Sequence, residues 1–239
     1  DNLMRLLKRI FLFIIILSLY GCSLNYKYRA HKENFENQIQ KLENLNEYKS
    51  MKDYLLFIGS SSIRRWVSLA EDMAPYSSIN RGYGGAHYYD LIHYIDRLIE
   101  NKEQAKAIII FVGNDITGGK GLNNRHNDIT PKEVKKLVKV ITNKIHNNLS
   151  NDLPIFIIET TPTPKRWHVW DKIVQANDLI KDYMERQPNH YFISTRNQFI
   201  NNYGRPIGKY FVKDSLHLSK AGYNLWSEII KNELENNLN

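Results

Sequence analysis

The stretch YLLFIGSSSIRRW, residues 54–66, decides how this chain is read. An apolar run ends at Gly59, three serines follow, and a helical pattern begins at Ile63 and is expected to reach about Ala70. A nearly unbroken apolar run looks like a strand covered on both faces, and a strand that feeds a helix is half of a βαβ unit. The rest of the chain repeats the pattern. Further strands are predicted at Ser78–Gly82 (SINRG), Ala107–Gly113 (AIIIFVG), Pro154–Glu159 (PIFIIE) and His190–Ser194 (HYFIS). Between them Tyr88, Leu91, Ile92, Ile95, Leu98 and Ile99 share one helical face, as do Val134, Leu137, Val138, Ile141 and Ile145 behind the capping box Thr130-Pro131-Lys132-Glu133. A third helix is expected from about Asp171 to Arg186, and a last one from the N-cap Ser219 to about Leu234. Strand and helix in alternation predict a doubly wound, three-layer α/β/α domain with a mainly parallel five-stranded sheet, whose working site lies at the carboxyl ends of the strands.

The 239 residues, 42% of them hydrophobic, suit one globular domain, expected over residues 53–239. The N-terminus differs. Arg5, Lys8 and Arg9 precede the apolar run IFLFIIILSLY and then Gly21-Cys22, a run short for a bilayer span and right for a signal-peptide core over residues 1–21. Leu19-Tyr20-Gly21-Cys22 resembles a bacterial lipobox, with Cys22 as the lipidated residue. As the single cysteine it has no partner for an intramolecular disulfide. Such an anchor implies a cell-envelope location. Residues 22–52 then read as a polar tether running into an amphipathic helix marked by Phe35, Ile39, Leu42 and Leu45.

The formal charge is +8, and loss of residues 1–21 removes three positive charges and one negative, leaving +6. Basic residues such as Lys135, Lys136, Lys139, Arg186, Arg205 and Lys209 are scattered without interleaved aromatics, so nucleic acid is not an expected partner. Anionic envelope surfaces account for the sign equally well. No HExxH or other zinc spacing appears, and the serine loop lacks the lysine of a phosphate-binding P-loop, so no metal or cofactor is expected.

Serines at a strand-to-helix junction are ordinarily helix caps. The same position also puts a hydroxyl at the carboxyl edge of a sheet, beside backbone N–H groups that favour developing negative charge. Three other stretches bear on the choice. Asn80-Arg81-Gly82-Tyr83-Gly84-Gly85 follows the second strand, Val112-Gly113-Asn114-Asp115 follows the third, and Asp214-Ser215-Leu216-His217 precedes the last helix.

This set, in this order, resembles the SGNH hydrolases, also called the GDSL esterase and lipase family, over roughly Leu55 to Trp226. The resemblance implies a flavodoxin-like sheet and a serine esterase. It makes Ser61 the nucleophile, with Ser60 where the family name has aspartate and Ser62 left to cap the helix. Gly85, with Gly84 as a near alternative, matches the glycine that donates its N–H to an oxyanion. Asn114 matches the asparagine that completes the oxyanion hole, with Val112 where the block usually has glycine. Asp214 and His217 match the DxxH pair, and the spacing of three lets the carboxylate hold Nδ1–H while Nε2 faces the serine. His87 and His93, on the helix after the glycine block, are expected to pack or face solvent.

The family includes esterases of acetylated glycans, lysophospholipases and thioesterases. Arg166 and Trp167, after the fourth strand, are candidate substrate contacts, with packing an equal alternative for Trp167. Two readings follow: an esterase of acetylated glycan or lipid esters, or a catalytically inactive, lipid-anchored binder of glycan or lipid on the same fold.

Overall fold

A computed structural model describes Met4 and residues 24–44, 51–99, 104–119 and 128–238. Helix α1 (Glu36–Glu43) comes first. Strand β1 (Tyr54–Gly59) then leads into the short helices α2 (Ser61–Arg64) and α3 (Leu69–Asp72). After them run β2 (Ser78–Gly82), α4 (Tyr88–Leu98), β3 (Ala105–Phe111), α5 (Pro131–Asn148), β4 (Ile155–Ile158) and α6 (Trp170–Met184). The chain closes with β5 (His190–Ile193), α7 (Arg196–Phe199) and α8 (Lys220–Asn237).

The five strands form one sheet in the order β2-β1-β3-β4-β5, and every pairing is parallel. Side chains alternate across it. Leu56, Ile58, Ile108 and Ile110 join a core with α4, α5 and α6, while Leu55, Phe57, Ile109 and Phe111 join a second core with Ile63, Leu69 and residues of α8. Burial on both faces is why these strands read as continuous apolar runs.

The chain moves from β1 outward to β2, then crosses back to β3 on the other side of β1. The winding reverses between β1 and β3, so the loops leaving these strands diverge and open a crevice at their carboxyl ends. Gly59 ends β1 there with φ +151°, opposite Phe111. A β-carbon on it would lie 1.9 Å from the Phe111 carbonyl oxygen, which accepts the Ser60 N–H at 2.9 Å, so only glycine fits.

Local differences from expectation have physical causes. The helix after the serines is not continuous. It breaks after Arg64 so that Trp66, 1% exposed, turns inward against Phe57, Tyr223 and Trp226, while Val67 stays in solvent. Ser62 is not the cap. It lies inside α2, whose N-cap is Ser60, extended at φ −85° and ψ −165° and without a side-chain capping bond. The caps of the long helices fall as expected: Thr130 Oγ1 accepts the Glu133 N–H at 3.3 Å and Ser219 Oγ the Gly222 N–H at 3.2 Å. β3 begins two residues earlier and ends at Phe111, which leaves Val112, Gly113 and Asn114 in the loop.

Residues 24–44, read above as tether and helix, are packed onto the domain. Leu24, Tyr28, Phe35 and Ile39 are buried in the first core. Arg97 of α4 is forked between Glu36 (2.7 Å) and Glu43 (2.6 Å) of α1, and the Phe35 N–H donates to the Tyr94 hydroxyl. Apart from Met4 the signal segment lies outside the described residues, as do Cys22 and Leu45. Among the described residues no helix is long and apolar enough to cross a membrane.

Candidate active site

Ser61 is the first residue of α2, immediately past the end of β1. Its backbone N–H lies in the first helical turn, where no carbonyl of the helix can accept it. Its Oγ lies 2.9 Å from Nε2 of His217, across 156 residues of sequence. His217 Nδ1 lies 2.6 Å from Asp214 Oδ2, so the carboxylate holds the Nδ1–H tautomer and Nε2 is left to accept the serine proton.

Asp214 is held by its own turn. Its Oδ1 accepts the N–H groups of Leu216 and His217, both at 2.9 Å, and Ser215 takes φ +59° to fold the turn back. The turn is closed by the bridge between Phe211 and Leu218, and the Lys165 N–H donates to the Ser215 carbonyl from a neighbouring loop. Burial pushes the Asp214 carboxyl up, but the hydrogen bonds from the His217 ring and from the two backbone N–H groups outweigh it and bring it down to about 2.

The glycine block lies across the crevice. The Gly84 N–H donates to Gln38 Oε1 at 3.0 Å and is already engaged. Gly85, at φ +82°, turns the chain after it, and its N–H meets no acceptor among the described residues. The Asn114 amide sits beside this turn, donating one N–H to the Ala86 carbonyl at 2.7 Å and leaving its second N–H for a ligand. Val112, in the usual glycine position, is 1% exposed and packs behind the loop. Gly85 and the Asn114 amide are thus neighbours, through the bond to the Ala86 carbonyl, on the loops that follow β2 and β3, the two strands that flank β1 and Ser61.

Arg166, a candidate substrate contact from sequence, turns inward instead. It donates through Nη2 to Asn114 Oδ1 at 2.6 Å and through Nη1 to the Gly113 carbonyl. That fork fixes which edge of the Asn114 amide carries the donors. Burial pushes the guanidinium down to about 10, so it keeps its charge at neutral pH. Trp167 stacks on Trp170 with ring centroids 5.7 Å apart, and the Arg205 guanidinium approaches its ring at 5.9 Å. His87 caps α4 with Nδ1 at 3.1 Å from Asp90, and His93 donates to the Tyr28 carbonyl, both as packing groups.

Two supports had no sequence signal. Gln38 comes from the segment before the domain, and Arg166 is expected from sequence only as a substrate contact. Behind them Asp115 is buried, both its oxygens accept the Tyr88 N–H at 3.1 Å, and burial pushes its carboxyl up to about 6. Among the described residues no group of three or more His, Cys, Asp or Glu side chains could hold a metal ion. A hydroxyl held against an oriented imidazole at the carboxyl end of a strand is an arrangement suited to nucleophilic attack on a carbonyl.

Solved structures share this fold. A Streptococcus pneumonia protein provisionally assigned as platelet activating factor is similar over 83% of this chain and 92% of its own, with TM-score 0.71 and 21% identity. A GDSL-like lipase from Bacteroides thetaiotaomicron is similar over 86% and 98%, with TM-score 0.63 and 16% identity. An acetyl-xylooligosaccharide esterase from Geobacillus is similar over 76% and 94%, with TM-score 0.58 and 16% identity. At these identities the likeness is one of fold. No curated protein matches the sequence. The profile of the GDSL-like lipase/acylhydrolase family matches residues 58–225, from the end of β1 into α8 and across every block of the crevice, and the chain belongs to that family.

Proposed function

We propose that the protein is a serine esterase that cleaves carboxylic esters through an acyl-enzyme. The observation that carries this reading is the relay of Ser61 Oγ, 2.9 Å from His217 Nε2, and His217 Nδ1, 2.6 Å from Asp214. His217 takes the Ser61 proton as Oγ attacks the ester carbonyl. The oxyanion rests on the Ser61 and Gly85 N–H groups and the Asn114 amide. His217 then returns the proton to the leaving alcohol, and water, activated by the same imidazole, releases the acid.

Acetylated glycans and lysolipid esters are the substrates to try first. The fold shared with an acetyl-xylooligosaccharide esterase supports the former. The lipobox-like Cys22 supports an anchor at a bacterial envelope, where both occur. Metabolic labelling with palmitate tests the anchor and should disappear in Cys22→Ser.

A fluorophosphonate probe tests the chemistry. Labelling of wild type that vanishes in Ser61→Ala supports the esterase. Wild type that neither labels nor cleaves any member of a p-nitrophenyl ester series from acetyl to long acyl chains sinks it, and leaves the ligand-binding reading on the same fold.

A further inference from the structure

Basic residues that look scattered along the sequence gather on one edge of the sheet. The loops leaving the carboxyl ends of the strands carry Arg64, Arg65, Lys165, Arg205, Lys209 and Lys213, all exposed. Four carboxylates on that edge are already engaged, while Asp171, in the first turn of α6, is exposed. Asp115 is buried on Tyr88, Asp128 accepts the N–H groups of Thr117 and Gly118, Glu159 is fully buried against Thr195 and Arg196, and Asp214 holds His217. Of the six cations, only Arg65 approaches one of them, at 4.0 Å from Asp214. The opposite edge is balanced, with Lys52, Lys106 and Arg186 against Asp53, Asp152 and Glu185 among its described residues. Exposed positive charge therefore gathers at the mouth of the crevice.

Arg64 stands nearest the chemistry. It lies three residues after Ser61 in α2, on the same side of the turn. Its guanidinium covers the glycine block: a β-carbon on Gly84 would lie 2.8 Å from the Arg64 Cζ. Among the described residues it meets no carboxylate. A permanently charged fork one helical turn from the nucleophile and over Gly84, the residue before Gly85, suits a planar or tetrahedral anion, which a guanidinium binds through two N–H groups at once.

We propose that the ester cleaved here carries a phosphate or carboxylate close to its scissile carbonyl, and that Arg64 binds that anion. This rests on the esterase reading above. Arg65, Lys165 and Lys213 add attraction around the mouth, which salt screens within about 10 Å at 0.1 M.

The test is a matched pair, 3-acyloxybenzoate and 3-acyloxybenzamide with the same acyl chain, which differ only in charge. Wild type should favour the benzoate in kcat/KM by about tenfold or more at low salt, the size expected of one hydrogen bond to a charged group. The preference should shrink with added salt, fall towards one in Arg64→Gln mainly through KM, and return in part in Arg64→Lys. A wild-type ratio near one, or a ratio unchanged in Arg64→Gln, overturns the inference and leaves the esterase standing. Turnover of neither ester, with no fluorophosphonate labelling of Ser61, brings down the esterase reading and this inference with it. If Arg64→Gln does not fold, the wild-type ratio and its salt dependence still decide. Lysophosphatidylglycerol against lysophosphatidylcholine, and acetylated glucuronoxylan against neutral acetylated xylan, then tell a lipid phosphate from an acidic sugar as the source of the anion.

Discussion

The two halves of the crevice are built differently. On the acid–base side, Asp214 and His217 lie in one four-residue turn that the aspartate itself holds through two backbone N–H groups, so their mutual geometry is local. On the proposed oxyanion side the supports come from distant parts of the sequence. Gly84 is held by Gln38, 46 residues earlier, and Asn114 is oriented by Arg166, 52 residues later. A short motif can specify an acid–base pair, whereas aiming amide donors at a point in space requires supports from wherever the fold brings them.

The largest expected effect belongs to the residue where the halves meet. Ser61→Ala should lower kcat for a p-nitrophenyl ester by about 10⁴-fold or more, while Ser60→Ala and Ser62→Ala keep much of it. Loss confined to Ser60→Ala would move the nucleophile by one residue.

Next, Asn114→Ala should cost about 10²–10³ in kcat, the usual worth of one oxyanion donor. Arg166→Met should cost about tenfold in kcat with KM little changed, since it leaves the amide present but unaimed. In a double-mutant cycle Arg166→Met should add little to Asn114→Ala. Full additivity would mean that Arg166 acts independently of Asn114, as a substrate contact would. Arg166→Lys should not restore the rate, because one ammonium cannot reproduce a fork that spans the Gly113 carbonyl and the Asn114 side chain.

A smaller effect is expected at the N-terminal segment. Gln38→Leu should lower kcat by about threefold to tenfold through the lost Gly84 hydrogen bond, and Gln38→Glu, which keeps the acceptor, should recover most of it. An unchanged kcat in Gln38→Leu would make α1 mere packing.

The smallest effect concerns two carboxylates shifted in opposite directions, one on each side. Asp214 is lowered to about 2, so its contribution to stability is present above its ordinary value near 4 and is lost as pH falls through 2. Asp115 is raised to about 6, so its contribution is full below 4 and is lost as pH rises through 6. Thermal melts should therefore show a decline between about pH 4 and 6 that flattens in Asp115→Asn and persists in Asp214→Asn. A decline unchanged in Asp115→Asn would assign that titration elsewhere.

How far the sequence reaches differs from element to element. Strands β1 and β2 are legible to the residue, because an apolar run ending at Gly59 and the SINRG run ending at Gly82 each stop at a glycine. The long helices are legible from apolar spacing and from the caps Thr130 and Ser219. The break after Arg64 is not, since no helix-breaking residue marks it and only the indole pocket formed with Tyr223 and Trp226 draws Trp66 inward. For the same reason Ser62 reads as a cap and Ser60 turns out to be one.

The sequence by itself determined the alternation of strands and helices, the positions of Ser61, Gly85, Asn114, Asp214 and His217 in the family's blocks, and the sign of the charge. These depend on period, spacing and order, which are properties of the chain read in one dimension. Only the tertiary structure decided that Arg166 faces Asn114, that Gln38 holds the Gly84 N–H, and that basic residues gather on one edge of the sheet. Each of these depends on which loops a parallel, doubly wound sheet brings to the same end. That end is set by topology, and no spacing along the chain records it.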